Sequence, residues 1–167
     1  MNSLELIKLS ISEQYAAAIK MLEDTITECP DDLWQKTDGE KIISSIVYHV
    51  LFWLDRYLSK TRAEEFAFKP HLEDKDKTDK KHIYAKQELL DYAKFDRQKA
   101  DTLFNNLKMD DLITDSVYDF HGSTFLSSLM YNLRHIMLHV GALHVRLSQG
   151  GVGSMEWESH NILFKTE

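Results

Sequence analysis

Residues 126–147 read LSSLMYNLRHIMLHVGALHVRL. Leu126, Leu129, Leu133, Ile136, Val140, Leu143 and Leu147 recur at alternating spacings of three and four. That is the seam of a helix packed lengthwise in a bundle. A second stripe runs beside it, through Ser128, Asn132, His135, His139, Ala142 and Arg146, so polar groups line one edge of the apolar face. Gly150 and Gly151 end the pattern, which predicts a helix over about 123–149.

Three more segments share this period. Leu4, Ile7, Ile11, Tyr15, Ala18, Leu22 and Ile26 predict a helix over 3–29. Asn2 and Glu5 have capping spacing at its start, and Pro30 stops it. DDLWQK, residues 31–36, reads as a short turn that tucks Trp34 over the bundle end. Thr37 and Glu40 have capping-box spacing and place the start of the second long helix near residue 37. Its stripe is Ile43, Ile46, Val50, Trp53 and Tyr57, with His49 beside it in line with Ser45, Phe52 and Arg56. The third spans about 83–107, with Leu90, Ala93, Ala100, Phe104 and Leu107 inward. Arg97 interrupts that stripe and is expected to snorkel to solvent, contact with a site anion being the alternative.

Between the second and third helices the pattern fails. Residues 61–82 include HLEDKDKTDKKH, a charged, aperiodic loop, and EEFAFKPH, whose aromatics could fold down across the bundle. Residues 108–122 form a second loop. The tail GVGSMEWESHNILFKTE has no assignment, with Trp157 expected to anchor it to the surface and a dimer contact as the alternative. Four long amphipathic segments predict an all-α four-helix bundle, one domain over 1–167. The long second connection permits a crossover.

Composition narrows the function. Two prolines and six glycines suit long helices. A net charge of −7 argues against nucleic acid and against an anionic membrane surface. No apolar run reaches spanning length without interruption, and MNSLELIKLSISEQ lacks the signature of a signal peptide. The single cysteine, Cys29, forbids an internal disulfide and suits a reducing cytoplasm; it reads as a small packing residue rather than a nucleophile.

The chemistry rests on histidines. His135 and His139 stand at i and i+4, one turn apart on one face, and His49 lies in another apolar segment, IISSIVYHVLFWL, residues 42–54. A lone histidine on an apolar face is usually a core residue with its hydrogen bonds satisfied. A pair and a third on inward faces of two helices can instead reach one ion and leave a coordination position open. The spacing is not His-Glu-x-x-His, because Ile136 and Met137 stand between, so no zinc-protease base is placed. The Glu-x-x-His pattern of di-iron bundles is also missing. His144 is about 140° round the helix from His139 and should not be a ligand. His71, His82, His121 and His160 fall in loops or tail, with His121 near enough to flank a pocket.

These residues resemble the DinB-like (DinB/YfiT) metalloenzyme family. Its bundles carry a histidine in a second helix like IISSIVYHVLFWLDRYL and a His-x-x-x-His in the last long helix. HIMLHVGALHVRL matches that outline through His135, His139, Gly141, Leu143 and Arg146, and departs from it at Ala142, where glutamine is frequent. The departure puts a hydrogen bond behind the ligands or toward substrate in doubt. The resemblance covers the architecture of most of the chain, but only about 30 residues as motif. It implies His49, His135 and His139 as ligands to zinc or nickel, and a homodimer. Relatives include thiol-dependent S-transferases and a thiol-dependent isomerase.

The expectation is therefore a metal-dependent enzyme, S-transferase-like or hydrolase-like, acting on a small molecule with a low-molecular-weight thiol as cosubstrate. Three neutral imidazoles leave a bound ion its full charge, which favours loss of a proton from water or thiol. Asn132 and Arg146, on the same stripe, are candidates to orient substrate, and Tyr131 and His121 are further candidates. The alternatives are a non-catalytic metal- or small-molecule-binding bundle with a stress-related role, and a structural bundle with core histidines.

Overall fold

The computed structural model describes residues 2–36, 41–60, 82–118 and 122–159. Among them there are six helices and no strand: α1 Ser3–Glu28, α2 Asp31–Trp34, α3 Ile43–Tyr57, α4 Lys86–Asn106, α5 Met109–Leu112 and α6 Phe125–Gln149. Four are long and carry the core; α2 and α5 are single turns. The predicted all-α architecture is the observed one.

The seams read from the sequence are buried. Ile11, Tyr15, Ala18, Leu22 and Ile26 of α1 meet Leu129, Ile136, Val140, Leu143 and Leu147 of α6 in one core. At the start of α1, Asn2 Oδ1 accepts from the Glu5 amide at 3.0 Å and Glu5 accepts from the Asn2 amide at 2.9 Å, so two orphan donors are satisfied. At the end of α6, Gly150 caps the helix and Gly151 takes φ 89°, a left-handed turn that favours glycine. A Cβ on Gly150 would stand 2.5 Å from Leu33 Cδ2, so the close approach of α2 also selects glycine there.

Interhelix bonds fix the directions. Tyr15 meets Leu129 and Thr25 meets His144, so α1 and α6 run parallel. Lys8 reaches Asn105 and Glu23 reaches Arg97, so α1 and α4 are antiparallel. Ser44 bonds Tyr84 and Asp55 bonds Tyr92 and Lys99, so α3 and α4 are parallel. Leu54 meets Asn132 and Lys41 meets Arg146, so α3 and α6 are antiparallel. Since α1 and α3 each pack on both α4 and α6, the order around the bundle is α1, α4, α3, α6. The chain runs up, down, down, up, and consecutive long helices α1 and α3 sit on a diagonal. The crossover allowed by the long second connection is present, because α3 ends at the opposite end of the bundle from the start of α4.

Several expectations shift. The second long helix begins at Ile43, not near residue 37; Ile42 holds an extended N-cap with no side-chain cap, its own side chain buried. Thr37 and Glu40 lie outside the described residues. The third begins at Lys86, not 83, because 82–85 is used otherwise: the Tyr84 amide donates to Ser44 Oγ at 3.3 Å and its carbonyl accepts from Trp34 Nε1 at 2.8 Å. Trp34 does cover the bundle end, at 3% exposure. The inward face of α4 is Leu89, Tyr92, Ala93, Asp96, Ala100 and Phe104, broader than the predicted stripe. Arg97 neither snorkels free nor meets a site anion; it clamps α4 to α1 through Glu23 at 2.7 Å. The loop 108–122 contains α5 and a bridge between Asp115 and Thr124. Trp157 does not anchor the tail: it is 73% exposed, and Val152 and Met155 pack down instead. The segment 61–81, with its EEFAF aromatics, and Phe164 lie outside the described residues.

Cys29 is buried, and desolvation pushes its thiol up to about 11, which keeps it protonated and inert as expected of a packing residue.

Candidate metal centre

The polar edge of α6 is the α3–α6 seam. At its start Ser128 Oγ lies 2.6 Å from Ser116 Oγ. One turn on, the Asn132 amide donates to the Leu54 carbonyl at 3.4 Å. At its end Arg146 donates to the Lys41 carbonyl at 2.6 Å. These bonds set the rotation of α6 against α3, and the middle of the stripe, His135 and His139, is thereby turned toward His49. The i, i+4 spacing does the rest, since it stacks both imidazoles over one point of the facing helix.

The three rings converge. His49 and His135 place their Nε2 atoms 3.3 Å apart. One ligand nitrogen from each of His49, His135 and His139 lies within 4.8 Å of the other two. Ring centroids are 5.2 Å for His49–His135, 5.1 Å for His49–His139 and 4.7 Å for His135–His139. Two nitrogens about 2.05 Å from a tetrahedral ion stand roughly 3.3 Å from each other, so the closest pair already has the edge length of a zinc-like polyhedron. A hydrogen bond between two imidazoles would account for that pair alone; it does not draw in the third ring. All three histidines are half-buried, so the group is reachable from solvent. Nitrogen donors without carboxylate suit zinc, nickel, copper or iron rather than calcium or magnesium.

The other sequence candidates fall in distinct places. Asn132 is fully buried one turn below His135; it is turned to the Leu54 carbonyl and to Tyr15, whose phenol is pushed far up by burial, an effect the Asn132 bond opposes. Arg146 is at the opposite end of the seam, tied to Lys41. Tyr131 lies beside the site, its ring 8° from parallel to His135 at 6.4 Å. His121 is outside the described residues. His144 is not in the cluster: its Nε2 lies 3.1 Å from Thr25 Oγ1 in the α1–α6 interface, and desolvation lowers its pKa. Ala142 is exposed.

Sequence reading missed the aromatic neighbours. Trp53 was placed on a different line of α3 from His49, yet their rings meet edge to face at 6.5 Å. Tyr57 reaches His135 at 6.2 Å. The signal was available, since His49, Trp53 and Tyr57 stand at i, i+4 and i+8.

A bundle of four long helices with three histidines converging from α3 and α6 defines a class: helical proteins with an all-nitrogen side-chain group that could hold a metal ion. The family model of the DinB superfamily matches residues 14–143, a span that contains all three histidines, and the chain belongs to that superfamily. No curated protein and no solved structure matches the chain significantly.

Proposed function

We propose that this chain is a divalent-metal enzyme of the DinB type, with His49, His135 and His139 as ligands to zinc or nickel, acting on a small molecule. The observation that carries the reading is the convergence of three ring nitrogens within 4.8 Å. A divalent ion held there supplies Lewis acidity and favours proton loss from a group in its open position. The chain's own residues do the rest. The neutral imidazoles leave the ion's charge undiminished. The bonds from Asn132 to the Leu54 carbonyl of α3 and from Arg146 to the Lys41 carbonyl just before α3 hold the two helices in the register the ligands need. Half-burial between Tyr57, Trp53 and Tyr131 reduces water around the reacting groups. Transfer to or from a low-molecular-weight thiol, or hydrolysis, is the reaction class that fits.

A second reading has one observation in its favour. Among the described residues, the histidine group includes no carboxylate to act as a general base. That suits a non-catalytic metal- or small-molecule-binding bundle with a stress-related role. Elemental analysis of freshly purified protein, beside His49→Ala, tests the metal; stoichiometric metal in the wild type and none in the variant is expected. Metal-dependent turnover in a panel of thiol conjugations and ester hydrolyses separates enzyme from binder.

The chain is further proposed to act in the cytoplasm as a homodimer. Among the described residues no helix is long and apolar enough to cross a membrane. Met130, Leu138 and Val145 leave an exposed apolar line along α6, 52–69% exposed, that a second copy would cover. Sedimentation at tens of micromolar giving only a 19.5 kDa species would exclude the dimer.

A further inference from the structure

On α3, His49, Trp53 and Tyr57 repeat at i, i+4 and i+8; on α6, Tyr131, His135 and His139 do the same. The two helices are antiparallel, so the histidine ends of the two rows coincide and the aromatic ends coincide. The structure shows the consequence. Trp53 and Tyr57 stack at 5.1 Å and 26°. Tyr131 meets Tyr57 edge to face at 5.7 Å. Tyr118 closes on both, 5.4 Å from Tyr57 and 6.4 Å from Trp53.

Tyr118 is held there by its own segment. Ser116 Oγ donates to the Tyr118 carbonyl at 2.8 Å, and the Ser116 amide donates to the Ser123 carbonyl at 3.1 Å, so 114–118 is pinned along the entrance to α6. Tyr57 is buried behind the others, while Trp53, Tyr118 and Tyr131 remain half-exposed. The rings are contiguous with the triad through Trp53–His49, Tyr57–His135 and Tyr131–His135. They touch one another, which leaves no gap between faces for a cation; the cluster is a wall, not a cage. Arg134 lies over Tyr131 at 5.3 Å and puts a positive charge at its edge.

We propose that Trp53, Tyr57, Tyr118 and Tyr131 form a binding subsite for a flat apolar group, aromatic by preference. That group belongs to a small molecule whose anionic head docks at the three histidines. The proposal rests on the metal reading above and names the substrate class of that same site. Neutral imidazoles around a divalent ion leave net positive charge for the head, and the wall offers ring faces and edges to the tail.

The test is calorimetry with defined probes. Zinc is titrated first into the metal-free protein, which tests the metal reading by itself. The zinc-loaded protein is then titrated with acetohydroxamate and with 2-naphthohydroxamate, which share a chelating head and differ in the tail. The naphthyl probe is expected to bind at least about tenfold tighter. Tyr118→Ala and Trp53→Leu should each cut that preference several-fold, with zinc and acetohydroxamate binding unchanged in Tyr118→Ala. In the metal-free protein 2-naphthol, which has no chelating head, should bind weakly, and this binding too should be lost in Tyr118→Ala. Equal affinity for the two hydroxamates, or a naphthyl preference that survives both substitutions, overturns the subsite. Failure of zinc to bind overturns the metal reading, and the 2-naphthol result then decides the subsite independently.

Discussion

On the side of α3 that meets α6, three half-buried imidazoles converge, one ring nitrogen of each within 4.8 Å of the other two. On the side that meets α4, Asp55 is wholly buried and its demands are met from within. Lys99 Nζ donates to Asp55 Oδ1 at 2.6 Å, to the Asp55 carbonyl at 2.8 Å and to Ser59 Oγ at 2.7 Å, which uses all three of its protons. Tyr92 donates to Asp55 Oδ2 at 3.2 Å. One helix thus carries a closed charge network on one face and a half-buried imidazole group, open to solvent, on the other. The closed network fixes how the parallel helices α3 and α4 sit. Asp96 marks the boundary of closure: it is fully buried, neither oxygen has a hydrogen-bond partner, and desolvation and the Asp55 charge raise its pKa well above the carboxylate range. Lys99 opposes that shift and does not cancel it.

Breaking the closed side should cost most. Asp55→Ala leaves the Lys99 ammonium and the Tyr92 hydroxyl without their buried partner, and should destabilise the fold by about 3 kcal/mol, read by urea denaturation. Metal should make no difference to that loss if the two faces are independent.

Breaking the open side should cost nothing until metal is added. His139→Ala is expected to keep helical circular dichroism, because the seam from Leu129 to Leu147 carries the packing. It should lose the metal-dependent rise in stability, about 2.7 kcal/mol when free metal is a hundredfold above its dissociation constant. A variant that retains wild-type metal content would place the ion elsewhere. One unfolded even with excess metal would make these histidines part of the core.

Asp96 sharpens the contrast through pH. Its folded-state pKa is raised, so the folded protein keeps a proton that the unfolded chain gives up. The stability it contributes is full below the ordinary carboxylate range and is lost as pH rises toward the folded value, by up to about 1.4 kcal/mol per pH unit. Asp96→Asn should flatten that stretch of the stability profile. Asp96→Leu, which removes the unsatisfied group, should raise stability near neutral pH by about 1 kcal/mol.

The smallest effect belongs to His144, across the core from both clusters. Its pKa is lowered, so the neutral ring is the one that fits against Thr25. Its contribution is present above the ordinary histidine value and lost as pH falls through the folded value. In metal-free protein, His144→Gln should make the acid limb of the denaturation profile shallower. An unchanged acid limb would assign the loss to the triad instead.

Much of this was legible before folding. The α6 seam, the α1 stripe, the Asn2–Glu5 cap and the glycine stop all follow from local rules and hold in three dimensions. The candidate ligands were legible too, because i, i+4 geometry fixes His135 against His139. What escaped was whatever depended on a neighbour. The second long helix starts late, at Ile43. The segment 82–85 gives up helix to bond Trp34 and Ser44. Arg97 finds Glu23 on α1. Asp55 and Asp96 sit in stretches that read as ordinary amphipathic helix, where a charge is expected to face water.

The sequence by itself determined four amphipathic helices and which residues share a face, because a period of 3.6 is a property of the local backbone. It also determined that two imidazoles would stand together on α6. Only the tertiary structure decided that α3 lies antiparallel to α6 and parallel to α4. That choice brings His49 to the pair, sets Tyr57 of the α3 aromatic row edge to face against Tyr131, and closes Lys99 over Asp55. The physical reason is that periodicity says which face of a helix is apolar but not which helix will cover it. Selection among coverings falls to contacts distant in sequence: the Asn132–Leu54 and Arg146–Lys41 bonds, and the bond from Lys99 to the buried Asp55 carboxylate.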